Sequence, residues 1–157
     1  MSTPDEPLRV TLHHQGGYRF QIDFGDRLAS LIGDEPPPLG EGHGPTPSHL
    51  LAAAVGNCLA ASLTFAFAKF KQDAGGMEVV ATCHTGRNAA QRLRIERVDV
   101  QIRLGPSAAS AQHLDRILGQ FEDFCTVTQS LRQGTPVQVE ILDDGGQPLR
   151  ALHDVQG

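Results

Sequence analysis

One uncharged stretch, Leu50 to Ala68, limits what this chain can fold into more than any other feature. It is long enough to test as a membrane span. Its content argues against that. Ala52, Ala53, Ala54, Ala60, Ala61, Ala66 and Ala68 each add little apolar area, and Asn57, Ser62 and Thr64 are costly among lipid tails. A helix that is apolar all round and rich in small residues belongs inside protein. Ala52, Gly56 and Ala60 share one line at four-residue spacing, which predicts close approach by a second helix, including one from another subunit. A domain of 157 residues has too few other elements to cover every side of such a helix, so the pattern predicts a homodimer.

The surrounding segments read as strands and shorter helices. Residues 1–7, rich in proline and acid, read as a loose tail, and residues 8–157 as one domain. A strand begins at Val10-Thr11-Leu12. A second has Tyr18, Phe20, Ile22 and Phe24 alternating with Arg19, Gln21 and Asp23, and His14-Gln15-Gly16-Gly17 forms the turn between them. A long loop runs from Gly33 to Pro47 and contains Gly40-Glu41-Gly42-His43-Gly44. Thr46 is suited to cap the long helix and Pro47 to open it, and the helix should reach Lys71 before Gly75-Gly76. Strands are predicted over Met77–Thr85 and Arg94–Leu104, then a helix over Ser107–Phe124. A short helical turn from Cys125 to Gly134 and a last strand over Pro136–Leu142 complete the chain. This order predicts an α+β fold, with helices packed on an antiparallel sheet.

Composition removes several function classes. Hydrophobic residues make up 39% of the chain, the 17 glycines raise the apolar share, and charged residues make up 20%, so a packed core is expected and disorder is not. A net charge of −5, with 7 Phe, 1 Tyr and no Trp, offers neither a basic surface nor stacking platforms for nucleic acid. Three cysteines are too few for a disulfide scaffold, and the start lacks the basic and apolar runs of a signal peptide. The expected compartment is the reducing cytoplasm, where cysteines are more often catalytic than structural.

The chemistry-bearing residues are few. Cys58 lies within the apolar helix beside Asn57, and Cys125 stands at the start of a short helix, where a thiolate is favoured. Cys83 sits on a strand with Met77, Val79 and Ala81 and reads as core. The histidines do not converge at metal-ligand spacing, so no metal site is expected, and the glycine-rich run lacks the lysine of a phosphate loop.

Pro47-Ser48-His49-Leu50-Leu51-Ala52-Ala53-Ala54-Val55-Gly56-Asn57-Cys58 resembles the P-x-x-L-L-x-A-A-x-x-x-C helix of the OsmC/Ohr family. Cys125-Thr126-Val127-Thr128-Gln129-Ser130-Leu131-Arg132, with Pro136-Val137-Gln138-Val139-Glu140 after it, resembles that family's second-cysteine segment and final strand. The resemblance implies an intertwined homodimer with the long helix at its centre. It also implies a peroxidase without cofactor, in which Cys58 attacks an organic hydroperoxide and Cys125 resolves the sulfenic acid to a disulfide. A dithiol, such as a lipoyl group, would reopen it. In the peroxidase members of that family a glutamate follows the helix-opening proline and holds an arginine beside the thiolate. Here that position is Ser48, with His49 next, and the arginine is Arg19 or Arg27, with His43 as another source of charge. Ser48, His49 and His43 are the expected pocket residues. The alternatives are a binding protein for a small hydrophobic ligand and a thiol redox sensor.

Overall fold

The structure, a computed structural model, describes residues 6–105 and 108–154. Most of the predicted N-terminal tail, and Ser107 at the predicted start of the second helix, lie outside the described residues. The chain separates into two compact units. One holds the residues up to Asn57 together with Met77–Arg103, and the other holds Cys58–Gly76 together with the residues from Leu104 onward.

In the first unit, β1 (Thr11–Gly16), β2 (Arg19–Asp23) and β3 (Leu31–Gly33) form an antiparallel sheet in that order. Leu12 pairs with Ile22, and Ile22 in turn with Leu31. Ile22 is buried, but Tyr18, Phe20 and Phe24, expected on the same covered face, are exposed in the single chain. Strand β3 was not legible in the sequence, because three residues are too few to show a period. Strands β4 (Met77–Arg87) and β5 (Leu93–Leu104) pair across a tight turn in which Asn88 Oδ1 accepts from the N–H groups of Ala90 and Arg92.

The long helix, α1, spans Pro47–Lys69, two residues short of the prediction. Thr46 caps it as expected: its Oγ1 accepts the His49 N–H at 3.4 Å, while His49 Nδ1 accepts the Thr46 N–H at 3.2 Å. This is a capping box with histidine in the place of the usual glutamate. At the other end, Lys71 takes a left-handed backbone with φ 55°, and the chain turns.

The helix is long and apolar enough to cross a membrane by length and composition, and so is the core helix of a globular protein. Val55, Leu59, Ser62, Leu63, Ala66 and Phe67 are buried, whereas Ala53, Ala54, Asn57, Ala61, Thr64, Phe65 and Ala68 are exposed. The single chain therefore covers one face of α1 and leaves the other open. Gly56 corrects an expectation. A Cβ there would lie 3.3 Å from Val79 Cγ1 and 3.4 Å from Ala81 Cβ, so at this position the close neighbour is strand β4 of its own unit.

In the second unit the largest fully buried side chains are Phe67, Leu63, Ile117 and Cys125. The predicted continuous helix over 107–124 is broken into a 3-10 turn at Ala108–Ser110, α2 (Leu114–Gln120) and a 3-10 turn at Phe121–Phe124. His113, at φ 62°, is left-handed, which no continuous right-handed helix accommodates, and the Gln112 N–H is taken by Gln72 Oε1 at 3.2 Å. Helix α3 covers Thr126–Arg132. Strand β6 (Gln138–Leu142) is not the last, because β7 (Pro148–Asp154) pairs with it antiparallel across a turn held by Asp143.

Candidate active site

The candidate residues fall into two groups, one in each unit. In the first unit the loop after β3 is organised around Asp34, which is 3% exposed. Its Oδ1 accepts the Glu35 N–H at 2.8 Å, and its Oδ2 accepts those of Glu41 at 3.2 Å and His43 at 3.0 Å. The His43 N–H bond above all, with those of Glu35 and Glu41, holds the Asp34 carboxyl below its ordinary range against the opposing effect of burial. Glycine is required beside this cradle. A Cβ on Gly40 would collide with the Asp34 carboxylate and the Glu35 carbonyl, and one on Gly44 with the Ile32 carbonyl.

The loop so folded presents Glu41 to Arg19 on β2, Nη2 to Oε2 at 3.0 Å, and the His43 ring to the same carboxylate at 3.2 Å. Arg19, His43, Gln15 and Ile32 line an open cleft of about 460 Å³. Arg19 Nε is buried without a hydrogen-bond partner, the only such side-chain atom among the described residues. Arg27, the other arginine candidate, is exposed in the turn between β2 and β3. Ser48 offers its carbonyl to the Cys83 thiol at 3.5 Å, and the His49 ring is committed to the helix cap.

In the second unit, Cys58 on α1 and Cys125 just ahead of α3 lie near enough for each thiol to shift the ionisation of the other, and both are reduced. Residues on α1 repeat on one face every three or four positions, which brings Ser62 to the same pair. The Ser62 hydroxyl donates to the Cys58 carbonyl at 2.8 Å and lies near enough to Cys125 to favour its ionised form. Thr128 Oγ1 lies 3.1 Å from Cys125 Sγ.

The two thiols ionise differently. Burial raises the pKa of Cys58, and the neighbouring Cys125 adds to the rise, against the N–H groups of Val127 and Thr126 that face the sulfur. Burial opposes ionisation of Cys125 too, but the hydroxyl and N–H of Thr128, the Cys58 thiol and the Ser62 hydroxyl together outweigh it. The Cys125 pKa falls below the usual thiol value.

The sequence singled out Cys58, Cys125, Arg19 and His43, but not the work of Asp34, Glu41, Ser62 or Thr128. Glycines flanking Glu41 were the available signal for a tightly wound loop. Nothing in the linear pattern paired Glu41 with Arg19.

The family model of OsmC-like proteins matches residues 40–140, which include both cysteines and the whole of α1. This chain belongs to the OsmC-like family. Solved structures share the fold. An osmotic stress induced and detoxification response protein from Psychrobacter arcticus has 19% identity and a TM-score of 0.64, over 83% of this chain and 91% of its own. The OsmC-like protein of Mycoplasma pneumoniae has 12% identity and a TM-score of 0.65, over 83% and 90%. The organic hydroperoxide resistance protein OhrB of Bacillus subtilis has 15% identity and a TM-score of 0.60, over 80% and 92%. No curated protein sequence matches the chain. At these identities the likeness establishes an OsmC/Ohr fold of the α+β class, as the order of elements predicted. Ser48 offers no carboxylate at the helix start, and in this OsmC-like chain a loop residue, Glu41, carries the one that meets Arg19.

Proposed function

We propose that this protein is a thiol-dependent peroxidase that reduces organic hydroperoxides, with Cys58 as the attacking sulfur and Cys125 as the resolving one. The observation that carries the reading is the closeness of two thiols 125 − 58 = 67 residues apart, near enough to shift each other's ionisation, in a chain with only one other cysteine. Cys58 is half-buried and so within reach of a small substrate, while Cys125 is fully buried behind it. Attack on the outer peroxide oxygen yields alcohol and a Cys58 sulfenic acid. Condensation with Cys125 then gives a disulfide and water, which guards the sulfur against further oxidation. A dithiol reductant, of which a lipoyl group is one, reopens the bridge by exchange. The name of the Bacillus subtilis neighbour supports organic hydroperoxides as the substrate class. Arg19, oriented by Glu41 and accompanied by His43, is assigned as the cation that favours a sulfur anion, and the working form as a cytoplasmic homodimer.

Thiol counting tests the reading. The reduced protein titrates as three thiols when unfolded. After one equivalent of an organic hydroperoxide per subunit a single thiol should remain, Cys83, whose sulfur is turned to the Ser48 carbonyl. Cys58→Ser should abolish alcohol formation, and Cys125→Ser should still react but stop at a sulfenic acid open to trapping. A Cys58 that stays reduced under excess hydroperoxide defeats the proposal and leaves a ligand-binding role.

A further inference from the structure

Resting on the peroxidase reading, we propose that His43 is a positioning residue. Its protonation braces Arg19, the cation assigned to the reacting sulfur, by fixing the Glu41 carboxylate between them. Each link in this chain of contacts is anchored by the one before it. Asp34 is the rigid end: it is 3% exposed, and its carboxylate accepts the N–H groups of Glu35, Glu41 and His43. His43 Nδ1 lies 3.5 Å from Asp34 Oδ2 and 3.2 Å from Glu41 Oε2, so one ring nitrogen faces two carboxylates. Facing only acceptors, Nδ1 carries a hydrogen whether the ring is neutral or charged. The Glu41 oxygen that meets the ring also accepts from Arg19 Nη2 at 3.0 Å. Among the described residues that is the only hydrogen bond of the Arg19 side chain, and Arg19 Nε is buried without a partner. The place of the guanidinium therefore depends on Glu41.

Charge decides how firmly Glu41 is held. With the ring neutral, two carboxylates share one guanidinium, and Asp34 and Glu41 repel each other across the ring. A protonated ring balances the surplus charge and bridges both carboxylates, which keeps Glu41 where Arg19 meets it. The titratable groups facing the ring are Asp34 and Glu41 from its own loop and Arg19 from β2. Gln15 and Ile32, which line the same cleft from β1 and β3, carry no charge. Substitution isolates the ring's role, because asparagine or lysine at this position keeps the backbone N–H that ties the loop to Asp34.

The test follows the Arg19 Nε–H resonance and the His43 ring by NMR in the reduced full-length protein between about pH 5 and 8, where imidazoles titrate. The Arg19 signal should shift in step with the His43 ring. Its protection from hydrogen exchange should fall about two- to fivefold as the ring loses its proton, the worth of an exposed ion pair. Both changes should be absent in His43→Asn, which keeps a donor without the charge, and in Glu41→Gln, which removes the ionic link. His43→Lys, charged throughout this range, should hold Arg19 in its acid-side state. Single-turnover oxidation by cumene hydroperoxide gives the second readout. Its rate, divided by the thiolate fraction measured by ultraviolet absorbance, should fall by a similar factor as the wild-type ring deprotonates and stay level in His43→Lys.

An Arg19 signal indifferent to the His43 titration overturns the proposal. Coupling that persists undiminished in Glu41→Gln overturns it too, since the carboxylate is then not the link. A corrected rate that ignores the ring in a protein that does consume hydroperoxide overturns the positioning role. The expected Arg19 titration in a protein that consumes no hydroperoxide defeats the peroxidase reading instead, which keeps the two failures distinguishable.

Discussion

Asp34 shows how one buried carboxylate shapes a loop that then places Glu41 against Arg19 and the His43 ring. Its N–H partners Glu35, Glu41 and His43 lie on both sides of the Pro36–Gly40 turn, so the carboxylate ties the loop into one shape. The sign of its pH dependence follows from its lowered pKa. The ionised form contributes stability above the unfolded carboxyl value of about 3.9, and this is lost as pH falls through the lower folded value. Asp34→Asn should therefore be less stable than wild type at neutral pH, with the gap narrowing below about pH 4. Urea midpoints measured against pH check this, and a gap that does not change with pH would refute it. Glu41 carries the second prediction at this scale. An exposed ion pair contributes about 0–1 kcal/mol to stability, so Glu41→Gln should leave the melting temperature almost unchanged. If Arg19 serves the reacting sulfur, the same variant should slow Cys58 oxidation, because glutamine does not hold the guanidinium by charge. Ser48→Glu should have little effect, since Arg19 already has a carboxylate partner. Stopped-flow rates on the three proteins decide between these outcomes.

Helix α1 and strand β4 are matched at Gly56. Inside a helix, glycine costs about 1 kcal/mol relative to alanine, so its presence here is explained by packing. A Cβ at this point meets Val79 and Ala81 at 3.3 and 3.4 Å, which one methyl group tolerates with a small adjustment. Gly56→Ala should be near neutral, the gain in helix propensity offsetting the squeeze. Gly56→Leu should lose about 1–3 kcal/mol by overpacking, read from denaturant midpoints. The elements themselves were unevenly legible. Helix α1 and strands β4 and β5 carry long hydrophobic patterns, and their positions follow from the sequence to within a few residues. Strands β3 and β7 do not, because each is held by pairing with a partner that the sequence alone does not reveal. The break before α2 depends on the left-handed backbone of His113, and no rule of residue preference places it there.

For the whole molecule, the exposed face of α1 is the feature that bears on assembly. Phe65 is 53% exposed, and Ala54, Asn57, Ala61 and Ala68 continue its stripe along the helix. Leu12 on β1 and Tyr18 in the turn before β2 are exposed by 56% and 51%. Apolar surface of this extent suits an obligate homodimer, whose interfaces bury roughly 2,000 Å² or more. Sedimentation should find a dimer, and Ala61→Glu should dissociate or unfold it. On a solvent-facing stripe the same change would cost no more than about 0.5 kcal/mol. A stable folded wild-type monomer at micromolar concentration would reject the assembly. The sequence by itself determined the α+β class, the long apolar helix with its cap, and the two cysteines proposed to carry the chemistry, because each is written in local pattern or residue type. Tertiary structure alone decided that Cys58 meets Cys125, that Glu41 and not residue 48 holds Arg19, and which face of α1 is left open. Those outcomes depend on contacts between residues far apart in the chain, and an all-apolar helix carries no mark of which side its own chain will cover.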